Sequence, residues 1–371
     1  MGTRSATARR GARAALASVA LAAGLVATAP PASACACGGL VDTPAYDSSV
    51  SSESAVLQWD GTTQTLLLEL ETLSQAPEVG LILPTPAPAE VTLADPAVFR
   101  ELDTITAPRP VVSDHRWWPE LGFGSPADGA GAATGVDVFD EVRLGPLDVT
   151  TLAATDGAAL DAWLTERGFQ VTASIRGAIA PYVADGWTFV VARLAPEAAA
   201  TFDGTLQPLR VTFASDALVY PMRMSAAAQD TQRTRTYVLA DGRVDRADAT
   251  ADLAAPQVRF AGRVDPASVT SDELAALLTA GGYVTAHEQT FTEPSAQIVS
   301  DFAFVPAASD VAFSPTYAVV ADKRIGPFFA GPVLAFGGVL ALSSLVVWSA
   351  RRRLLSARAG TVRRAPRPVR A

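Results

Sequence analysis

Chemistry in this chain has to come from few residue types. Among 371 residues there are two histidines, His115 and His287, and two cysteines, Cys35 and Cys37. A serine nucleophile on a G-x-S-x-G elbow is missing, because Gly122-Phe123-Gly124-Ser125-Pro126 has the wrong spacing. No His-Glu-x-x-His zinc motif, phosphate loop or dinucleotide fingerprint occurs. His287 and Glu288 fall in an expected strand, where neighbours point to opposite faces and cannot converge on one substrate. The 38 Asp and Glu leave a paired acid–base site of the glycosidase kind open, but sequence does not select the pair. Asp241, Asp245 and Asp248 recur around a turn and could offer oxygens to Ca²⁺. They lack the spacing of a calcium loop, and the plainer reading is a turn with exposed acids. The expectation is therefore no catalytic residue, no cofactor and no metal site: a non-enzymatic binding or structural module, with an exported carboxylate-based hydrolase as the alternative.

Two other groups stand out. Cys35-x-Cys37 admits a lipid anchor, a metal site, free thiols or a strained disulfide. Export to an oxidising compartment favours the disulfide. Residues 107–135 hold four prolines and five glycines with no helix or strand period. Long structureless loops in compact domains are usually functional or disordered. This one carries His115-Arg116-Trp117-Trp118, and Trp and Arg dominate binding hot spots. Three readings compete: tryptophans that fold back and pin the loop to the core, a partner-binding loop, or disorder.

The elements that would position these groups lie between two address-like ends. Residues 1–34 hold four Arg and no acid, then a small apolar run ending in Ala32-Ser33-Ala34, the layout of a cleaved secretory signal peptide. Gly326 to Ala350 carries no charge and is long enough to span a bilayer as a helix. Phe328, Phe329 and Trp348 suit its two interfaces. Eight basic residues follow in 351–371, against Lys323 and Arg324 before it, which places the C-terminus in the cytoplasm. The expected protein is a single-pass component of the cell membrane. Its ectodomain, 35–322, lies outside, and its short basic tail is attracted to anionic lipid. The ectodomain holds all 38 acids against 15 basic residues, which makes it a poor match for nucleic acid. The partner expected instead is a surface protein or cell-wall component.

Within the ectodomain, Glu53–Asp60 and Thr63–Leu73 flank the turn pair Asp60-Gly61. In the second strand Leu66, Leu68 and Leu70 alternate with Glu69 and Glu71. Val79–Leu83 is a short apolar strand, and Asp95-Pro96 opens a helix. A strand from Val136 to about Leu152 follows, then helices from Asp156 to Arg167 and from Ser174 to Val183. Strands are expected at Trp187–Leu194, Leu209–Phe213 and Arg233–Ala240, the last turning at Asp241-Gly242 into Arg243–Arg246. A helix capped by Ser271 and a strand Tyr283–Phe291 complete the set. Leu66, Leu68, Leu70, Trp163, Leu164, Trp187, Phe189 and Phe213 are expected in the core. Leu160 to Phe169 echoes Leu274 to Tyr283, which fits either a duplicated unit or two helices ended by Gly. The fold class is α+β: a mainly antiparallel sheet with interspersed short helices, as one domain or two packed subdomains, plus the C-terminal transmembrane helix.

Several stretches together resemble the bacterial family called domain of unknown function 2330. They are Cys37-Gly38, Glu53-x-Ala55-Val56-Leu57, Gly80-Leu81-Ile82-Leu83-Pro84-Thr85-Pro86 and Phe99-x-x-Leu102. Further along come Leu160-x-x-Trp163-Leu164, Tyr182-Val183-x-x-Gly186-Trp187-x-Phe189-Val190 and Val219-Tyr220-Pro221-Met222-Arg223-Met224-Ser225. The resemblance covers most of 35–320. It implies an exported protein with a C-terminal membrane helix, and it brings no reaction, cofactor or catalytic residue.

Overall fold

A computed structural model describes residues 39–41, 48–119, 141–142, 145, 148–153, 157–195 and 204–361. The signal peptide, Cys35 and Cys37, residues 120–135 and the end of the basic tail lie outside the described residues. The chain divides into two compact units, one within 1–107 and 137–314, the other within 108–136 and 315–371.

The first unit is built from the strand pair read in the sequence. Ser49–Trp59 and Thr63–Leu73 pair antiparallel, with Leu57 opposite Leu66 and Ala55 opposite Leu68. Asp60 closes the turn: its Oδ1 accepts from the N–H of Thr62 at 2.9 Å and of Thr63 at 2.7 Å. This pair sits inside a nine-stranded sheet. Gln232–Ala240 joins Ser49–Trp59 in parallel, and Tyr283–Phe291 and Gln257–Arg263 continue outward. Leu209–Ala214 and Gly204–Leu206 pair with the far side of Thr63–Leu73. A second, four-stranded antiparallel sheet runs Gly39–Val41, Val79–Thr85, Thr188–Leu194, Asp148–Ala153.

Side-chain alternation then stacks four layers. Leu66, Leu68 and Leu70 of the large sheet meet Val79, Leu81, Leu83, Val190 and Ala192 of the small one. Leu67, Val56, Tyr237 and Leu239 point the other way, under helices Ala97–Thr106 and Asp272–Ala280 through Phe99, Leu102, Leu274 and Leu278. The back of the small sheet, through Ile82, Phe189 and Val191, carries helices Gly157–Glu166 and Ala173–Ala184. The α+β, mainly antiparallel class therefore holds, in the arrangement helix, sheet, sheet, helix.

Three readings are corrected. Trp163 and Trp187 are only half-buried, while the other six expected core residues are buried. Trp163 packs against the core beneath the helix layer, and Arg167, one turn on, stacks on its ring at 3.5 Å. Arg243–Arg246 does not form a hairpin with Gln232–Ala240. Val244–Arg246 instead pairs with Phe302–Pro306, in a three-stranded sheet completed by Val219–Tyr220. The echo is not a repeated unit either: Phe169 leads into the helix Ala173–Ala184, whereas Tyr283 starts a strand.

In the second unit, the stretch read as structureless begins with a strand. Arg109–Arg116 runs parallel to Thr316–Asp322. Arg324–Ile325 and Phe328–Phe329 form a tight hairpin about Gly326, whose φ of +61° needs glycine. The terminal helix therefore starts at Ala330 rather than Gly326 and runs to Thr361. Its segment Ala330–Ser356 contains an 18-residue stretch of mean hydropathy 2.0 with no buried residue, and is long and apolar enough to cross a membrane.

Candidate functional site

Among the polar clusters of the first unit, three are knots that centre on an arginine paired with carboxylates and stacked or bonded to an aromatic ring, and one of these borders a cleft. Thr172 Oγ1 accepts from the N–H of Ile175 and starts the helix Ala173–Ala184. At its other end Gly186, with φ +75°, reverses the chain, and the N–H of Trp187 donates to the Tyr182 carbonyl at 3.0 Å. That reversal stacks Trp187 on Tyr182 with ring centroids 5.0 Å apart. Arg223, opening the 3₁₀ turn Arg223–Ala227, lays its guanidinium 4.2 Å above the Tyr182 ring. Asp301 ties these together: Oδ1 accepts from the Tyr182 hydroxyl at 2.5 Å and the Arg223 N–H at 2.9 Å, and Oδ2 accepts from Arg223 Nε at 2.8 Å. Arg223 Nη2 donates to Asp185 at 2.8 Å.

Burial, then the Asp301 charge, pushes the Tyr182 hydroxyl well above its ordinary value, so it stays a neutral donor. Burial also opposes the charge of Arg223. Asp301 and Asp185 outweigh it and hold the guanidinium charged. Asp301 spends both oxygens inside the knot. One cation between two carboxylates also makes the knot net negative and repels an anionic ligand.

Beside it lies a cleft of about 370 Å³ lined by Ser174, Gly177, Ala178, Pro181, Ala226 and Ile298, with Arg223 at its rim. Among the described residues no carboxylate or histidine lines it. It can take an apolar group with a carbonyl or hydroxyl turned toward Arg223 and Ser174.

The other two knots are internal ties. Arg235 donates to Asp103 and Glu288, and the Tyr237 hydroxyl donates to Asp103, fastening the helix Ala97–Thr106 to the large sheet. Arg246 pairs with Asp248 at 2.5 Å, both side chains almost wholly buried, with the guanidinium 3.3 Å above Phe302. Asp248 also caps the helix Ala249–Leu253; burial raises its pKa but the bond to Arg246 outweighs it and holds the carboxyl below its ordinary value, whereas for Arg246 burial outweighs the bond and lowers the guanidinium's pKa. These contacts account for Asp248 of the acid trio. Asp245 faces Arg243 at 3.5 Å, and the Asp241 carbonyl accepts from Arg263. Among the described residues no group of three or more His, Cys, Asp or Glu could hold a metal ion.

Of the expected site residues, Cys35 and Cys37 lie outside the described residues. His115 and Arg116 end the strand Arg109–Arg116, opposite Ala321 and Asp322. Arg116 Nε donates to Asp322 at 2.9 Å. Trp117 and Trp118 are 46% and 57% exposed and do not fold back into a core. His287 is buried on its strand, its Nδ1 without a partner. The Arg223 knot escaped sequence reasoning because Asp301 is 119 residues from Tyr182. Its signal was present in the two stretches, Tyr182 to Trp187 and Val219 to Ser225, that carry the family resemblance.

No curated protein matches the chain. The crystal structure of baculovirus P35 aligns with 74% of this chain and 98% of that chain at 8% identity, with a TM-score of 0.30, too loose to carry an argument. The family model described as "uncharacterized protein conserved in bacteria (DUF2330)" matches residues 31–305, and the chain belongs to that family.

Proposed function

We propose that this is a single-pass cell-surface protein whose four-layer unit, exported by the cleaved signal peptide 1–34, binds a surface protein or cell-wall component outside the cell and performs no reaction. The apolar helix Ala330–Thr361 anchors it, and the Arg351-Arg352-Arg353 side faces the cytoplasm. The observation that carries the binding reading is the make-up of the cleft. It offers apolar area and a few fixed donors, while the neighbouring carboxylate, Asp301, is fully committed to Tyr182 and Arg223. That is the profile of a recognition surface and lacks a group free to move a proton.

Gly177 supplies a clean test. A Cβ built there meets nothing within 4 Å, and the residue lines the cleft. Gly177→Leu fills the cleft and relieves a mid-helix glycine, so stability should hold or rise by up to about 1 kcal/mol. Full-length protein in lipid nanodiscs is cosedimented with purified cell envelopes. Loss of cosedimentation in the variant supports the reading, and equal cosedimentation contradicts it. Release of reducing ends from wall polysaccharide by the wild type would favour the carboxylate-based hydrolase instead.

A further inference from the structure

The tryptophans of the second unit sit at the mouth of its apolar helix. The N–H of Gly331 donates to the Trp117 carbonyl at 2.8 Å, and the N–H of Ala330 donates to the Lys323 carbonyl at 2.7 Å. A Cβ at Gly331 would come within 2.6 Å of the Trp117 carbonyl oxygen and 2.7 Å of Trp118 Cε2. Only glycine lets the Trp117-Trp118 backbone and the Trp118 indole lie this close to the first helical turn. The hairpin ending in Phe328–Phe329 leads straight into the same turn, with Phe328 65% exposed and Arg324 4.9 Å from the Phe329 ring. Arg116 and Arg324 share Asp322, each at 2.9 Å. Exposed Trp117, Trp118 and Phe328 and half-buried Phe329 thus adjoin the first helical turn, with the Arg116 and Arg324 pair on Asp322 in the strands that lead to them.

The spacing along the helix says what these aromatics fit. From Gly331, against which Trp118 packs, to Trp348 the axis rises about 26 Å. Trp348 carries the Arg352 guanidinium 4.3 Å from its ring and closes the other end. The uncharged stretch Ala330–Ala350 rises about 31 Å, close to a hydrocarbon core of about 30 Å. Two aromatic levels about 26 Å apart fall within a few ångströms of that thickness and so near the two interfacial belts of a bilayer, where amphipathic rings settle.

We infer that Trp117, Trp118, Phe328 and Phe329 form a collar that inserts into the phospholipid headgroup layer on the outer face of the membrane the helix crosses. The collar is clamped to the helix through Gly331. It rests on the reading that this helix spans the bilayer, and it adds a lipid-binding surface contributed by chain more than 200 residues upstream of the anchor. Its role is to fix depth and tilt: a span alone can slide and tilt, whereas a rigid aromatic collar resists both.

The test uses the full-length chain in nanodiscs containing phospholipid brominated either just below the headgroup or near the chain terminus. The wild type is compared with the conservative Trp117→Phe, Trp118→Phe double variant, so that the difference in emission reports the two collar tryptophans. The inference expects a blue-shifted difference component, quenched more strongly by the shallow bromine than by the deep one. A red-shifted component that neither bromine quenches overturns it. A blue-shifted component that neither quenches also overturns it and points to a second protein copy over the rings. Trp348 is read separately, as the quenching lost when Trp348→Phe is added to the double variant. If Trp348 is quenched while the collar is not, the inference fails and the spanning reading stands. If neither is quenched, both fall.

Discussion

His287 should make the folded unit sensitive to mild acid. The residue lies mid-strand in Tyr283–Phe291 and is 3% exposed. Its Nδ1 has no partner, Phe304 packs at 6.0 Å, and the charges of Arg246, Arg243 and Asp245 surround it. Burial first, then Arg246, lowers its pKa from 6.5 to about 4. An imidazole with a depressed pKa is protonated more readily in the unfolded chain than in the folded one. The unfolded state therefore gains a proton that the native state refuses as pH falls from about 6.5 toward 4. The slope in that window is about 1.4 kcal/mol per pH unit, and the full shift removes about 3 kcal/mol, a large part of a typical domain's stability. Carboxylates titrate near the lower end of the same window, so the measurement is a difference. Urea unfolding of the wild type and of His287→Leu is followed at several pH values. The variant loses an unpartnered polar atom, should be close to neutral in cost at high pH, and should lack this slope. Parallel pH profiles for the two proteins, or an imidazole resonance of His287 with a midpoint near 6.5, would refute the reasoning.

Two further substitutions test the packing and the polar knot. Leu68→Ala should cost about 2–5 kcal/mol by opening a cavity between the two sheets, read as a lower urea midpoint; a cost under about 0.5 kcal/mol would misplace that face. Asp301→Ala strips Tyr182 and Arg223 of their shared acceptor and should cost about 3–5 kcal/mol. Tyr182→Phe on the Asp301→Ala background should then add little, because both changes remove the same bond; additive losses would show that the knot is not one unit.

The sheet was legible wherever one face differed from the other. Leu66, Leu68 and Leu70 against Glu69 and Glu71 announce a half-buried strand; the strand is Thr63–Leu73, but from Gln64 to Leu68 it is buried on both faces. The unbroken run Leu66-Leu67-Leu68 carried that signal, with Leu67 packing under the helix layer of the second face. Turn chemistry located Asp241-Gly242 without naming what the next strand pairs with, since Val244–Arg246 finds Phe302–Pro306 some 60 residues away. Arg109–Arg116 was missed for the same reason. It holds Pro110 and no period, and its order comes from Thr316–Asp322, more than 200 residues downstream. The candidate site was half legible: Tyr182, Trp187 and Arg223 lie in quoted family stretches, but no local pattern marks Asp301 as their hub. Composition marked a helix long and apolar enough to cross a membrane, while its start at Ala330 depended on the hairpin about Gly326.

The central claim, an ectodomain outside and a basic tail inside, is tested most directly by proteolysis of intact protoplasts expressing the full chain with a C-terminal epitope. The account predicts loss of the first unit and survival of a small membrane-embedded fragment that carries the epitope, which is digested only after lysis. A full-length chain that resists protease until the protoplasts are lysed, or an epitope removed before lysis, would contradict it.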